Sequence, residues 1–405
     1  MKTITISEYG LLGCDDSVEN FNKFKSAKID RETFKELEEF AKNEGSEIFA
    51  FRGKYLQAKS YVGLIELKNG TIIEILPKIY NDNNEVKIQK QVFINLLKIL
   101  YNLPSYKFLE SGKFDIEKMP LLEIFIKMFL DEVEYIIKKG LKSDYITNED
   151  NLNYYKGKLL INKQISKNFI HKNKFYCEFD EYHLNRSENK LIKTTLKYLS
   201  SKSQNLENKK RIRMYVEHLY EVELSKNIYF DFRNIKINRG TKHYKNALIW
   251  AKIFLKNNTF SSFSGDKEAF SILYPMERLF ENYVGYLLKN KNEIKNLKFQ
   301  KQKTFVKNLL SSRPDFVYKF NEEKIIGDAK WKNIDINNSK TLSQNDFYQL
   351  FAYSKIFNSK KLKLFYPRNE KFDYEEFEGK KFEYFDATEI EILSIDMMKL
   401  INKDY

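Results

Sequence analysis

Arg313-Pro314-Asp315-Phe316-Val317-Tyr318-Lys319-Phe320-Asn321-Glu322-Glu323-Lys324-Ile325-Ile326-Gly327-Asp328-Ala329-Lys330-Trp331-Lys332 is the stretch on which the reading of this chain turns. An apolar-rich run, a polar break at 321–323 and a second apolar run spell strand, turn, strand. A turn centred on Asn321-Glu322 pairs Phe320 with Glu323. Counting back along that ladder sets Asp315 opposite Asp328. Side chains two apart share a sheet face, so Lys330 joins Asp328. A slip of one residue would send one carboxylate to the other face, so the grouping depends on register.

Two carboxylates a few ångströms apart raise each other's proton affinity unless a cation sits between them. A hard divalent ion such as Mg²⁺ takes one or two carboxylates and keeps several waters for a phosphate substrate. It polarises the phosphoryl group and acidifies its bound water. Lys330 would then orient or help deprotonate the attacking water, or stabilise the developing charge. This is the equipment of a metal-dependent phosphodiesterase. A surface hairpin with solvated charges has the same spelling, and a Pro-Asp…Asp-x-Lys pattern recurs by chance, so the flanks must decide.

Upstream, Pro275 opens a helix whose Met276, Leu279, Phe280, Tyr283, Val284, Leu287 and Leu288 form an apolar stripe. Glu281 borders that stripe, either as an ordinary solvated glutamate or as a group reaching the sheet edge. Downstream, Asp346 to Tyr353 reads as a second helix, with Gln349 and Tyr353 four apart on one face.

In this order the elements resemble a PD-(D/E)xK nuclease core, and more narrowly McrC, the nuclease subunit of McrBC-type modification-dependent restriction systems. The matching residues are Leu279-Phe280-Glu281, Arg313-Pro314-Asp315, Asp328-Ala329-Lys330-Trp331-Lys332 and Tyr348-Gln349 through Tyr353. The likeness extends upstream. Val62-Gly63-Leu64-Ile65 with Glu74 to Ile79 is similar to the family's N-terminal signature, and Cys177 to Tyr182 with Asn189 is similar to its middle one.

The resemblance implies an endonuclease subunit of a GTP-driven, 5-methylcytosine-type restriction system. Asp315, Asp328 and the backbone carbonyl of Ala329 would hold Mg²⁺, with Mn²⁺ as a substitute. Lys330 would serve water activation or charge stabilisation, and Glu281 would be an outer metal or water ligand. Gln349 and Tyr353 would support the site or contact DNA. The implied partners are double-stranded DNA carrying a modified base, an McrB-like AAA+ GTPase ring whose hydrolysis is stimulated, and a second nuclease domain in a dimer.

The chain has 405 residues, 42% of them hydrophobic, enough for two or three domains. Its two cysteines and four histidines match no metal-ligand or disulfide spacing, which suits a reducing cytoplasm. No N-terminal signal is visible. The most apolar helix candidate, Leu121 to Ile137, is broken by Glu123, Lys127, Asp131, Glu132 and Glu134 and does not suit a bilayer.

The net charge of +14 is unevenly spread. Residues 151–250 hold 21 Lys/Arg against 9 Asp/Glu, or +12, and the other 305 residues hold 49 against 47, or +2. This basic segment, interleaved with Tyr154, Tyr155, Phe169, Phe175 and Tyr176, fits phosphate-backbone contact and base stacking. A basic surface for an acidic protein partner is the competing explanation.

Periodicity predicts a helix from Arg31 to Asn43. A hairpin follows from Tyr61 to Leu76, with a type I′ turn at Asn69-Gly70. Further helices are predicted at Gln89 to Leu103, Pro120 to Lys139, 161–169, 187–202, 207–220 and 243–256. Asn257 to Lys267 reads as a loop, and Lys361 to Phe365 and Lys381 to Phe385 as strands. The expected fold is therefore α/β (α+β overall) in three parts. These are a small β-rich N-terminal unit (1–85), a helical, basic middle region (86–258) for the motor, DNA or both, and a restriction-endonuclease-like PD-(D/E)xK core (269–405).

No Gly-x-x-x-x-Gly-Lys-Ser/Thr occurs, so no nucleotide is expected to bind this chain itself and a motor would be another polypeptide. Two other readings stay open. One is a regulatory subunit of an AAA+ motor with a silent nuclease site, against which the complete Asp, Asp, Lys set speaks. The other is a stand-alone exonuclease related to recombination nucleases, which share the Gln/Tyr pair.

Overall fold

The Arg313–Lys332 hairpin forms the centre of a six-stranded mixed sheet in the computed structural model, which describes residues 2–20, 25–43, 45–79, 86–104, 116–170, 172–256, 270–306, 310–375 and 378–402. The strands lie in the order Ile294–Phe299, Phe316–Phe320, Glu323–Ala329, Lys361–Pro367, Glu389–Ile395, Gly379–Glu383. The first two pairings and the last are antiparallel, and the two between them are parallel. A parallel pair needs a crossover, and the helix Gln344–Phe357 supplies it between Glu323–Ala329 and Lys361–Pro367.

The hairpin has the expected register. Phe320 pairs with Glu323 and Phe316 with Gly327, so the line continues to Asp315 opposite Asp328. Both turn residues, Asn321 (φ 48°) and Glu322 (φ 63°), are left-handed, which matches the twist of a two-residue hairpin loop. The other hairpin differs from expectation. Of Asn69 and Gly70 only Gly70 has positive φ (80°), and Asn69 Oδ1 accepts the Thr71 N–H at 2.9 Å. The loop is therefore longer than type I′, closed by Leu67 N–H to Thr71 O at 2.9 Å. An asparagine whose side chain caps its own turn does not need the left-handed backbone.

Two helices sandwich the sheet. Gln344–Phe357 packs Leu350, Tyr353 and Phe357 onto the face of Val317, Ile326, Leu362 and Leu364. On the other face Met276–Lys289 places Phe280 against Trp331 (ring centroids 5.3 Å). Gly285 permits the approach of that helix, because a Cβ there would stand 2.4 Å from the Phe299 ring.

The chain divides into two compact units, Met1–Leu121 with Phe263–Tyr405, and Leu122–Ser262. In the first, the strand Phe270–Pro275 pairs antiparallel with Tyr61–Glu66, in a four-stranded sheet that also holds Ile72–Leu76 and Thr3–Ser7. A second four-stranded sheet of Ala27–Lys28, Leu11–Gly13, Tyr55–Ala58 and Phe49–Arg52 shares its apolar core. The loop expected at 257–267 lies outside the described residues.

The second unit has the expected helices, at Ile161–Asn168, Ser187–Lys202, Leu206–His218 and Lys245–Lys256. It also has a ribbon that periodicity did not announce, Asp144–Leu152 paired antiparallel with Phe175–His183. The charges that interrupt the helix Leu121–Lys139 find partners inside this unit. Glu123 accepts from Ser203 Oγ, Asn208 Nδ2 and the backbone of Gln204 and Asn205, and Arg211 meets Asp131 (2.7 Å) and Glu134 (3.0 Å). Asn189 is fully buried, donating to the carbonyls of Lys142 and Leu184 and accepting from Tyr244. Among the described residues no helix is long and apolar enough to cross a membrane.

Candidate active site

Asp328 and Lys330 flank Ala329, the last residue of the central strand, and period 2 puts both on the Ile326 face. Lys330 Nζ lies 2.6 Å from Asp328 Oδ2. The Asp328 side chain is almost wholly buried, and its Oδ2 has this ionic neighbour but no well-directed hydrogen bond. Asp315, on the partner strand, is fixed by its Oδ2, which accepts the Ala329 N–H at 2.8 Å. Backbone bonds hold the frame: Lys330 N–H donates to Phe365 O at 2.9 Å, extending the sheet past Ala329.

The electrostatics are those of crowded acids partly withdrawn from water. Burial raises the Asp315 carboxyl to about 8, with the charges of Asp328 and Glu281 adding to it and the Ala329 N–H and Lys330 opposing. Asp328 is raised by burial against the pull of Lys330. Glu281 is raised by burial, with Asp328 adding to it and Gln300 opposing. For Lys330 burial acts downward, but Asp328, Asp346 and Asp315 outweigh it, and its ammonium is held above the usual lysine range. This lysine stays charged at neutral pH.

The remaining expected residues divide by distance from this centre. Gln349 Oε1 accepts from Lys330 Nζ at 3.1 Å, so it touches the site directly. Tyr353 is buried, and its hydroxyl lies 3.5 Å from the Arg313 carbonyl. Burial and then Asp328 push its phenol up to about 12. Glu281 is held through Gln300, whose Nε2 donates to Glu281 Oε1 at 2.7 Å.

Two residues without an assigned role in the sequence reading belong to the arrangement. Gln300, besides holding Glu281, donates its backbone N–H to Asp315 O at 2.8 Å and accepts from Arg313. Asp346, buried in the helix that covers this face, accepts from Lys332 Nζ (2.9 and 3.1 Å) and Tyr366 (3.2 Å). Nothing in local pattern marks Gln300. Asp346 had only its place in the first turn of an apolar helix as a signal.

The donor set fits a hard divalent cation. Two mutually repelling aspartates, Asp328 buried and Asp315 half-buried, lie beside Ala329, and Mg²⁺ asks for one or two carboxylates with water as the rest. Among the described residues no group of three or more His, Cys, Asp or Glu is placed to hold a metal.

In the second unit the basic segment gathers its aromatics on the ribbon. Tyr155 packs edge-on to Phe175 at 6.2 Å, Lys156 lies 4.1 Å over Phe179, and Tyr154, Tyr155 and Phe169 are exposed.

Residues 56–367 match the family model described as McrBC 5-methylcytosine restriction system component. No curated protein matches the chain significantly. Among solved structures, the chain is similar to one in the refined half-complex from a tetradecameric assembly of Thermococcus gammatolerans McrB AAA+ hexamers with bound McrC. There the TM-score is 0.74 at 18% identity, covering 100% of this chain and 99% of the other. It is also similar to a chain of the cryo-EM structure of the Thermococcus gammatolerans McrBC complex, with TM-score 0.54, 16% identity, and 71% and 88% coverage. With a family model spanning most of its length and a fold shared end to end, this chain belongs to the family of McrBC 5-methylcytosine restriction system components, the family to which its McrC-like motifs point.

Proposed function

We propose that this chain is the Mg²⁺-dependent DNA endonuclease subunit of a GTP-driven, modification-dependent restriction system, and that its six-stranded sheet with two flanking helices is a PD-(D/E)xK core. The observation that carries the reading is the hairpin register, which gathers the buried Asp328 with the half-buried Asp315 and Lys330 at one end of the sheet, where their charges act on one another. Perturbed acids clustered around a retained ammonium mark functional sites more often than surface hairpins.

Asp315, Asp328 and the Ala329 carbonyl would hold the ion, which supplies Lewis-acid polarisation of the phosphate and a more acidic water. Lys330, kept protonated by its acidic neighbours, stabilises negative charge on the phosphoryl oxygens rather than acting as a base. Gln349 fixes the direction of that ammonium. Glu281, with its raised proton affinity, is suited to hold or take up a proton near the attacking water.

The partner is an McrB-like AAA+ GTPase ring in the cytoplasm, whose hydrolysis this chain stimulates. The family match and the fold shared with a chain of an McrB–McrC assembly support that assignment. The basic ribbon would meet DNA or the ring. In a cleavage assay on 5-methylcytosine-containing duplex with ring, GTP and Mg²⁺, Lys330→Ala should lower cutting by about 10²–10³-fold or below detection. Wild-type cutting by that variant would overturn the assignment of the site.

A further inference from the structure

We propose that Glu8 is a positioning residue for the candidate active site, holding the Asp328–Lys332 run through the indole of Trp331. The inference rests on the nuclease reading of Asp315, Asp328 and Lys330. Glu8 follows the first strand, Thr3–Ser7, and is fully buried. Both its carboxylate oxygens accept from Trp331 Nε1, at 3.0 and 3.2 Å, across 323 residues of sequence. Its Oε2 also accepts the Lys78 backbone N–H at 2.9 Å, and its own N–H donates to Leu76 O at 2.9 Å. The carboxylate is thus anchored to the parallel strand pair Thr3–Ser7 and Ile72–Leu76.

Trp331 is the pivot of this arrangement. It is the residue after Lys330, it is buried, and its ring packs on Phe280, the residue before Glu281. One indole therefore sits between two functional candidates, and its N–H would be an orphan donor in an apolar core without Glu8. A buried carboxylate is a costly way to satisfy an indole N–H and one backbone N–H. The fixed ring angle, and hence the placement of Lys330, is what it supplies in return. Such indirect support of a site is typically worth roughly 10- to 100-fold in activity or metal affinity.

The charged and titratable groups around Glu8 are Lys78, Tyr9 and Glu277. Burial raises its carboxyl to about 7, against the pull of Lys78, its backbone N–H and the indole. Protonation turns one acceptor oxygen into a donor with the indole N–H facing it, so the Trp331 environment should change near neutrality.

The test uses the full chain. The protein has two tryptophans, so a Trp250→Phe background leaves Trp331 as the sole indole reporter. In metal-free buffer its emission should titrate near pH 7, and Glu8→Gln should abolish that transition while leaving the circular dichroism unchanged. With ring, GTP and Mg²⁺, Glu8→Gln and Trp331→Phe should each lower kcat by roughly 10- to 100-fold with little change in KM for DNA. Their double variant should be no worse than either, because the two act as one unit. A Trp331 titration that persists in Glu8→Gln, or cutting at the wild-type rate by both single variants, would overturn the proposal. If instead Asp328→Ala also cuts normally, the nuclease reading itself has failed, and the two failures are distinguished.

Discussion

Asp315 is tied to the opposite strand by its side chain, its Oδ2 accepting the backbone N–H of Ala329 at 2.8 Å. The strand ladder ends one pair earlier, at Phe316 and Gly327. The carboxylate thus continues the pairing where the backbone stops, and it holds the peptide that joins Asp328 to Ala329.

That arrangement has an energetic cost with a definite sign. The folded-state affinity of Asp315 for a proton is raised to about 8 from an ordinary carboxyl near 4. Between those values the folded chain binds more protons than the unfolded chain, so stability falls as pH rises through this window. Asp315→Asn removes the effect. In EDTA its thermal midpoint should exceed that of wild type by a margin that grows from pH 5 to pH 8. A margin that is absent, or that shrinks with pH, would count against a desolvated, repelled carboxylate.

Divalent ion should reverse the same penalty. Mg²⁺ must displace protons from Asp315 and Asp328, so its apparent affinity should strengthen from pH 6 to pH 8. At a hundredfold excess over Kd a single ion adds about 2.7 kcal/mol, readable as a thermal shift. Asp328→Ala should show no shift, and an unchanged shift in that variant would place the ion elsewhere.

The hairpin turn permits a separate check of register. Glu322 is a non-glycine residue with φ 63° whose carboxylate makes exposed ion pairs to Lys319 (3.1 Å) and Lys295 (3.4 Å). Exposed pairs contribute little, whereas glycine adopts this backbone freely. Glu322→Gly should therefore stabilise the chain by up to about 1 kcal/mol and leave cutting unchanged, as chemical denaturation and a cleavage assay would show. A loss of activity would mean that the turn does more than set the pairing.

These elements differ in how far they could be read beforehand. The hairpin, its register and most helices were legible because their signals are local: alternation, helical period and turn residues. The ribbon Asp144–Leu152 was not, since a strand spelled Asp-Tyr-Ile-Thr-Asn-Glu-Asp-Asn-Leu carries residues that strands disfavour. It is held by cross-strand side-chain bonds such as Thr147 to Asp180 (2.7 Å) and Asn148 to Glu181 (3.0 Å). Within the site, Asp315, Asp328 and Lys330 could be grouped from spacing, and Gln349 from the family resemblance. Gln300, Asp346 and Glu8 could not, because each meets its partners only after distant segments have folded together.

Lys330 and Gln349 should separate in magnitude. Removing a charge-stabilising donor typically costs about 10²–10³-fold in kcat, so Lys330→Ala should fall in that range or below detection. Gln349→Ala removes only the group that orients the ammonium, and it should cost no more than roughly tenfold. Equal losses in single-turnover cleavage would give Gln349 a direct role with DNA.

The measurement that tests the central claim most directly pairs two readouts on one variant. Asp328→Ala, assembled with the AAA+ ring, GTP, Mg²⁺ and 5-methylcytosine-containing duplex, is assayed for both DNA cutting and stimulation of GTP hydrolysis. The account predicts stimulation equal to wild type with no cutting. Cutting at the wild-type rate would contradict it.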